Sequence, residues 1–303
     1  MISIQKPYIL NPGDTIAIVS PASKIDEKHV NSAVRQLEKL GYRVVVGEHA
    51  LFRNHTFAGT DIQRSSDLQK MLDDPGVKAI LCSRGGYGTL RTLQHISWRG
   101  FKKHPKWIVG FSDITALHFT LHNMGYASIH GVMTAYFTDG EKPSKSLQTL
   151  MNALTGVPNK YTFKHSKYNV TGQTSGVVVG GNLSVLHSLR GTPYDIDASG
   201  KILFIEDLAE YLYHIDRIMM NLKTGGMLEG LKGLVVGGFT GLKDNDTPFG
   251  MNYQEIIIDA VKEYDFPVAF DFPAGHQPEN YAIKIGCEAQ LSVTEVGTEF
   301  YQK

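Results

Sequence analysis

The chain has 303 residues, of which 42% are hydrophobic and 20% are charged, a composition within the ordinary range for globular proteins. Its 30 Lys and Arg residues balance 30 Asp and Glu residues, so no net charge attracts a polyanion, and no basic run offers phosphate contacts. The length favours two domains, and the charge balance argues against nucleic acid as a partner.

Neither the start of the chain nor any later stretch has the apolar run that a signal peptide or a transmembrane helix requires. We therefore expect a cytoplasmic protein that does not bind a membrane. The two cysteines, Cys82 and Cys287, lie far apart without CxxC or Cys/His ligand spacing, so we expect neither a disulfide framework nor a structural zinc site.

The first half of the chain alternates short apolar segments with amphipathic ones. Four apolar segments predict buried strands: residues 15–20, 42–46, 77–82 and 107–110. Gly41 predicts the end of one helix, and Thr60 with Gln63 three residues later predicts a capping box at the start of another. The order indicates a doubly wound, mainly parallel α/β sheet, in which ligands bind at the carboxyl ends of strands.

The second half has further strand and helix patterns and ends in β-like sequence at residues 282–294. The predicted strands are residues 176–180, 202–205, 234–237 and 268–270, and the predicted helices are residues 211–222 and 253–264. We assign an N-terminal domain to residues 1–140, a polar connection to residues 141–174 and a smaller, β-rich α/β domain to residues 175–303. Within the connection, residues 145–154 predict a short helix.

Ser112 lies between the strand predicted at residues 107–110 and a helical stretch. This order is that of a nucleophile elbow, which exposes a serine beside a backbone N–H, here that of Asp113, available to an oxyanion. The segment lacks the second glycine of GxSxG, and Ser112 is equally well explained as the N-cap of the helix.

A glycine-rich turn, SRGGYG at residues 83–88, follows another predicted strand. Its backbone N–H groups could approach a phosphate, a carboxylate or an oxyanion. The turn matches neither the dinucleotide motif GxGxxG nor the P-loop, and a plain tight turn is the alternative.

Glu206 and His276 are the candidates for a catalytic acid and base. Glu206 follows the predicted strand at residues 202–205, where a carboxylate could orient an imidazole, and Asp207 is its immediate rival. His276 lies in a turn that prolines restrain, which suits a catalytic base.

Three other histidines, His118, His122 and His130, are closer in sequence to Ser112 and compete for the role of base. His118 and His122 also have the i,i+4 spacing of metal ligands. No glutamate follows His118 as HExxH demands and no third ligand is evident, so we predict no metal and no cofactor.

Five ordered motifs resemble those of the LD-carboxypeptidases, the family of muramoyltetrapeptide carboxypeptidases and microcin-immunity peptidases. They are SRGGYG at 83–88, GFSD at 110–113, GGNL at 180–183, ED at 206–207 with YxxDR at 213–217, and GH at 275–276. With Pro12-Gly13-Asp14, the resemblance covers nearly the whole chain.

The resemblance implies a serine peptidase in which Ser112 attacks, His276 transfers the proton and Glu206 orients the histidine. It places the oxyanion hole at the backbone N–H groups of Gly86 and Asp113. It also implies that the N-terminal domain carries the serine, that the C-terminal domain supplies the acid and the base, and that the protein is a homodimer.

The expected reaction is hydrolysis, through an acyl-enzyme, of the amide bond between an L-residue (a diamino acid) and a C-terminal D-amino acid in a murein-derived tetrapeptide, as in peptidoglycan recycling. We expect Arg84, Tyr87 and Arg217 to be substrate-binding residues. The guanidinium group of either arginine suits a substrate carboxylate, and a structural ion pair is the alternative role for both arginines.

Three alternatives stay open. A peptidyl-nucleotide of the microcin type is the other substrate, although both tryptophans precede Ser112, whereas that branch is expected to stack a nucleobase on aromatic residues after the nucleophile. From other classes, the chain could be a non-catalytic protein that binds an anionic ligand at the glycine-rich turn, or a phosphate-binding transferase.

Overall fold

A computed structural model describes residues 4–137 and 144–303 of the chain. These residues form two compact units. The N-terminal unit comprises Met1–Val157 and Tyr281–Lys284, and the C-terminal unit comprises Pro158–Asn280 and Ile285–Lys303.

The strands and helices alternate along most of the chain. The strands are β1 (Thr15–Val19), β2 (Arg43–Val46), β3 (Val77–Cys82), β4 (Trp107–Gly110), β5 (Ser128–His130), β6 (Asn159–Phe163), β7 (Gly172–Asn182), β8 (Ile202–Leu208), β9 (Gly233–Thr240), β10 (Val268–Ala269), β11 (Ile283–Ile285), β12 (Glu288–Thr294) and β13 (Gly297–Gln302). The helices are α1 (Glu27–Lys39), α2 (Asp61–Asp73), α3 (Thr89–Leu93), α4 (Arg99–Lys103), α5 (Thr115–Asn123), α6 (Lys145–Thr155), α7 (Leu183–Leu189), α8 (Leu212–Thr224) and α9 (Tyr253–Val261).

The sheet of the N-terminal unit has the strand order β11-β5-β4-β3-β1-β2. Strands β1 to β5 pair in parallel, so their carboxyl ends lie along one edge. Every side chain of β4 and all but Lys78 of β3 are buried, as expected for parallel strands whose two faces are both covered. The predicted mainly parallel α/β sheet is confirmed.

The sheet of the C-terminal unit is mixed, with the strand order β10-β9-β8-β7-β12-β13-β6. Strands β7 to β10 are parallel, whereas β7, β12, β13 and β6 pair antiparallel. The long strand β7 joins the two halves: its first residues pair with β12, and its last residues pair with β8. The expected C-terminal sheet domain is therefore confirmed.

Several local predictions hold and others need correction. Thr60 and Gln63 form both hydrogen bonds of a capping box at the start of α2, and Gly41, just after α1, has a φ of 90°. The strand predicted at residues 176–180 is longer, because it extends into the antiparallel half of the sheet. Within the stretch 141–174, assigned to the connection, the short helix predicted at residues 145–154 is confirmed as α6, whereas the strand β6 was not predicted. No helix in the described residues is long and apolar enough to cross a membrane.

Candidate active site

Ser112 lies in a strained turn at the carboxyl end of β4. Its φ is 64°, in the left-handed region that a residue with a side chain rarely adopts. A short 3-10 turn, Ser112–Ile114, begins at this residue, and α5 follows with Ile114 as its N-cap. Ser112 is therefore not the N-cap of α5, and the alternative role considered for it from the sequence is wrong.

The glycine-rich turn packs directly against Ser112 within the N-terminal unit. A Cβ atom on Gly85 would lie 2.8 Å from Ser112 Cβ and 3.2 Å from the backbone nitrogen of Asp113. Only a glycine allows this approach of the two backbones. The neighbouring Gly86 has a φ of 93°, so it too adopts a conformation that favours glycine.

Asp113 joins the glycine-rich turn to the serine turn. Its carboxylate accepts a hydrogen bond of 2.7 Å from the backbone N–H of Thr89, the first residue of α3. Burial raises the pKa of Asp113, although the hydrogen bonds from Thr89 lower it. The side chain of Asp113 therefore fixes the two turns relative to each other and leaves its backbone N–H beside Gly85.

Arg84 and Tyr87 are exposed residues of the same glycine-rich turn. The Arg84 guanidinium donates a hydrogen bond of 3.1 Å to the carbonyl of Lys24, and Tyr87 packs against Phe57 with ring centroids 5.9 Å apart. Ser23 supports the turn, because its hydroxyl accepts a hydrogen bond from the backbone N–H of Tyr87. Both predicted substrate-binding residues of this turn are thus accessible.

In the C-terminal unit, strand register brings Asn182 beside Glu206. The last residue of β7, Asn182, pairs with Glu206 in the parallel strand β8. Its side-chain amide donates to both Glu206 Oε1 and Asp207 Oδ1, at 3.3 and 3.0 Å. Its side-chain oxygen accepts from the backbone N–H of Val185, so Asn182 is also the N-cap of α7.

The structure brings His276 into contact with Glu206. His276 Nδ1 lies 2.7 Å from Glu206 Oε2, and the backbone N–H of His276 donates to the same oxygen at 3.1 Å. The Glu206 side chain is completely buried, whereas the His276 side chain is 18% exposed. A buried carboxylate thus holds a histidine whose ring remains partly accessible.

The residue before His276 must be a glycine for this contact to form. Gly275 has a φ of 102°, and a Cβ atom there would lie 2.6 Å from Glu206 Cβ. Hydrogen bonds from the Gly275 N–H to Asn280 and from the Thr240 hydroxyl to the His276 carbonyl fix the turn. The rigidity predicted from neighbouring prolines therefore comes from hydrogen bonds as well.

The environment of His276 favours its protonated form. Burial lowers the pKa of His276, but the hydrogen bond and negative charge of Glu206, together with the charge of Asp207, outweigh burial and raise the pKa overall. The imidazole is thus prepared to accept a proton.

Asp207, the rival acid, is engaged elsewhere. Its carboxylate accepts hydrogen bonds from the backbone N–H and the hydroxyl of Ser184 and from the backbone N–H of Leu208. Burial, with the charge of Glu206, raises the pKa of Asp207 to about 6, although these hydrogen bonds lower it. Asp207 therefore anchors the start of α7, and Glu206 is the acid that contacts the imidazole.

Arg217 and the three competing histidines do not take part in the contact between His276 and Glu206. Arg217 is exposed on α8 with its guanidinium 5.1 Å from the ring centre of Tyr213. His118, His122 and His130 are all buried in the N-terminal unit. Within residues 4–137 and 144–303, no group of three or more His, Cys, Asp or Glu side chains is arranged to hold a metal ion.

Comparison with known proteins shows the family of the chain. Residues 16–131 match the LD-carboxypeptidase N-terminal domain, and residues 175–291 match the LD-carboxypeptidase C-terminal domain. The chain belongs to the LD-carboxypeptidase family. Among its relatives is a probable murein peptide carboxypeptidase of Bacillus subtilis strain 168, which is 36% identical over 96% of this chain and 92% of that protein.

Two solved structures share the fold of this chain. The crystal structure of muramoyltetrapeptide carboxypeptidase from Oxalobacter formigenes has a TM-score of 0.86 and 28% identity, covering 95% of this chain and 98% of that one. MccF in complex with glutamyl sulfamoyl guanosine has a TM-score of 0.85 at 18% identity, covering 98% of both chains. At that identity, the second likeness concerns the fold alone.

Asn182 and Ser184 form hydrogen bonds to the pair Glu206 and Asp207, and neither residue was a candidate from the sequence. Asn182 was noted only as part of the GGNL motif at 180–183, and no sequence pattern pointed to Ser184. An asparagine immediately before an apolar helix is a typical N-cap, which is the local signal that was available.

Proposed function

We propose that this LD-carboxypeptidase family member is a serine-type enzyme whose catalytic triad consists of Ser112, His276 and Glu206. The observation that carries the proposal is the 2.7 Å contact between His276 Nδ1 and the buried Glu206 carboxylate, since this is how the acid of a triad orients its base. The strained turn of Ser112 at a strand end supports the role of nucleophile.

In the proposed reaction, His276 takes the proton of the Ser112 hydroxyl as the oxygen attacks the substrate carbonyl carbon. The backbone N–H groups of Gly86 and Asp113 stabilise the resulting oxyanion, a role supported by the close packing of the glycine-rich turn on Ser112. His276 then gives the proton to the leaving amino group, and water hydrolyses the ester on Ser112.

The proposed substrate is a murein-derived tetrapeptide, cleaved between an L-configured diamino residue and the C-terminal D-amino acid. The names of the Bacillus subtilis and Oxalobacter formigenes relatives support this class. We propose that Arg84, Tyr87 and Arg217 contribute to substrate binding, and the exposed guanidinium groups suit the terminal carboxylate. The domain boundaries at residues 140 and 175, the homodimer and the cytoplasmic location remain predictions.

The test is incubation of the full chain with a murein tetrapeptide that ends in D-Ala, with released D-Ala measured by mass spectrometry. Ser112→Ala should lower kcat by about 10³-fold or more, because it removes the nucleophile. Ser66→Ala is the matched control, since it removes an exposed hydroxyl from α2 in the same unit, and it should leave kcat unchanged.

The other outcomes separate the alternatives. Binding of the tetrapeptide without release of D-Ala, in both the wild type and Ser112→Ala, would favour the anion-binding protein. Release of the amino acid from a peptidyl-nucleotide, with the tetrapeptide untouched, would favour the microcin-type substrate. Turnover that a chelator abolishes would contradict the metal-independent triad, as would full activity of Ser112→Ala.

A further inference from the structure

His118 contacts the backbone next to the serine turn. It is fully buried on α5, with Nε2 2.9 Å from the carbonyl oxygen of Gly110 and Nδ1 2.8 Å from the hydroxyl oxygen of Ser128. A carbonyl oxygen only accepts, so Nε2 carries the hydrogen, and Nδ1 accepts the hydrogen of Ser128. Burial lowers the pKa of His118 to about 4, which keeps this neutral tautomer at neutral pH.

The position of the Gly110 carbonyl affects the position of Ser112. Gly110 ends β4, two residues before Ser112, and its carbonyl also accepts a hydrogen bond of 3.1 Å from the Gly131 N–H. The carbonyl thus accepts one hydrogen bond from Gly131, which follows β5, and one from His118 on α5. Side chains of a helix lean toward its N-terminus, which explains how His118 reaches back to the strand end.

The serine turn needs such support. A left-handed φ at a residue with a side chain is unfavourable and persists only where the surroundings fix it. A Cβ atom on Gly110 would lie 2.8 Å from Ile114 Cγ1, so the start of the turn is also tightly enclosed. A hydrogen bond at the strand end therefore restricts the direction in which the turn presents Ser112.

We propose that His118 is a positioning residue, whose Nε2–H holds the Gly110 carbonyl and thereby aims the Ser112 hydroxyl. This inference rests on the proposed function, because it gives Ser112 the role of nucleophile. Both ring nitrogens of His118 are engaged, so the residue is neither the general base nor a metal ligand.

A purely structural histidine would behave differently from a positioning residue. It would change the free energy of unfolding while the folded molecules kept their kcat. A positioning residue changes kcat with little change in KM, because misplacement of a reacting atom by about 1 Å costs about 10²-fold in rate.

The test compares His118→Phe/Ser128→Ala with Ser128→Ala. Phenylalanine keeps a ring but removes the donor, and alanine at position 128 avoids leaving a buried hydroxyl without an acceptor. We expect kcat per folded molecule to fall about 10- to 100-fold in the double variant relative to Ser128→Ala, with KM changed less than about threefold. The midpoints of the pH profile should not move.

Two amide variants give a second test that does not require the double variant to fold. Glutamine can place a donor near the Gly110 carbonyl and an acceptor near Ser128, whereas asparagine is one methylene shorter. We expect His118→Gln to retain kcat within about fivefold of the wild type and His118→Asn to lose about tenfold or more.

The outcomes distinguish this inference from the proposed function. A folded double variant with the kcat of Ser128→Ala, or equal kcat values for the glutamine and asparagine variants, would overturn the role of His118 while Ser112→Ala still lacks activity. A wild-type chain that does not cleave the tetrapeptide would overturn the proposed function, and the inference with it.

Discussion

The imidazole Nδ1 of His276 lies 2.7 Å from Oε2 of Glu206, and the backbone N–H of His276 donates to the same oxygen. Two hydrogen bonds from one residue to one carboxylate oxygen fix both the ring and the backbone that carries it. The tautomer follows, because a carboxylate accepts and Nδ1 must donate. Proton transfer in the proposed reaction therefore uses Nε2.

The first prediction is that kcat/KM falls at low pH with a midpoint set by the raised pKa of His276. Glu206 and Asp207 raise the pKa of His276 despite its burial, so the base should be lost to protonation at a higher pH than for an ordinary histidine, whose pKa is about 6.5. The acid limb of the kcat/KM profile should have its midpoint above about 6.5. Protonated His276 should also stabilise the fold below that pH, and this contribution should be lost as the pH rises through the raised pKa. A midpoint below 6 would contradict the assignment of the limb to His276.

The second prediction is that Glu206→Gln lowers kcat by about 10³- to 10⁴-fold. The amide retains the shape of the side chain, but it cannot stabilise the imidazolium or enforce the Nδ1–H tautomer. The pKa of His276 should fall, because Glu206 raises it, so the remaining activity should extend to lower pH. A pH series of kcat and kcat/KM measures both effects.

The control for this variant is Asp259→Asn, which removes an exposed carboxylate that pairs with Lys262 in the same unit. It should leave kcat and the pH profile unchanged, because surface ion pairs contribute little. Equal losses in the two variants would mean that the effect of Glu206→Gln is not specific to the histidine contact.

The parallel strands could be predicted from the sequence, because buried strands appear as continuous apolar runs. The antiparallel pairing of β6 with β13 could not be predicted, since it joins residues more than 130 positions apart. Likewise, the pairing of Asn182 with Glu206 depends on strand register. The order of strand, serine and helix indicated a tight turn at Ser112, whereas the packing of Gly85 against that turn could not be read from this local pattern.

The third prediction is that Gly85→Ala lowers kcat by about 10²-fold. The new Cβ would lie 2.8 Å from Ser112 Cβ and 3.1 Å from its Oγ, so the serine or the glycine-rich turn must shift. Steady-state kinetics on the folded variant measures the loss. Gly76→Ala is the control, because its Cβ would meet only the carboxylate of the exposed Asp74 in the turn before β3, and kcat should not change. A Gly85→Ala enzyme with normal kcat would show that the close packing is irrelevant to catalysis.

The fourth prediction is that Asp207→Asn destabilises the protein by about 2–4 kcal/mol, as measured by urea unfolding at pH 7. The Asp207 carboxylate accepts from Ser184, Leu208 and Asn182, so the amide group of an asparagine would face donors. Asp197→Asn, at an exposed carboxylate of the same unit, should change the free energy of unfolding by less than about 0.5 kcal/mol.

The destabilisation caused by Asp207→Asn should depend on pH, and this dependence tests whether Asp207 titrates in the folded protein. Burial raises the pKa of Asp207 to about 6, so the folded state binds its proton more tightly than the unfolded state does. The contribution of this group to stability is therefore greatest below about pH 4 and declines as the pH rises through 6. Asp207→Asn should lack that decline, and its destabilisation relative to the wild type should be larger at pH 5 than at pH 7. An equal difference at both pH values would show that Asp207 does not titrate in this range.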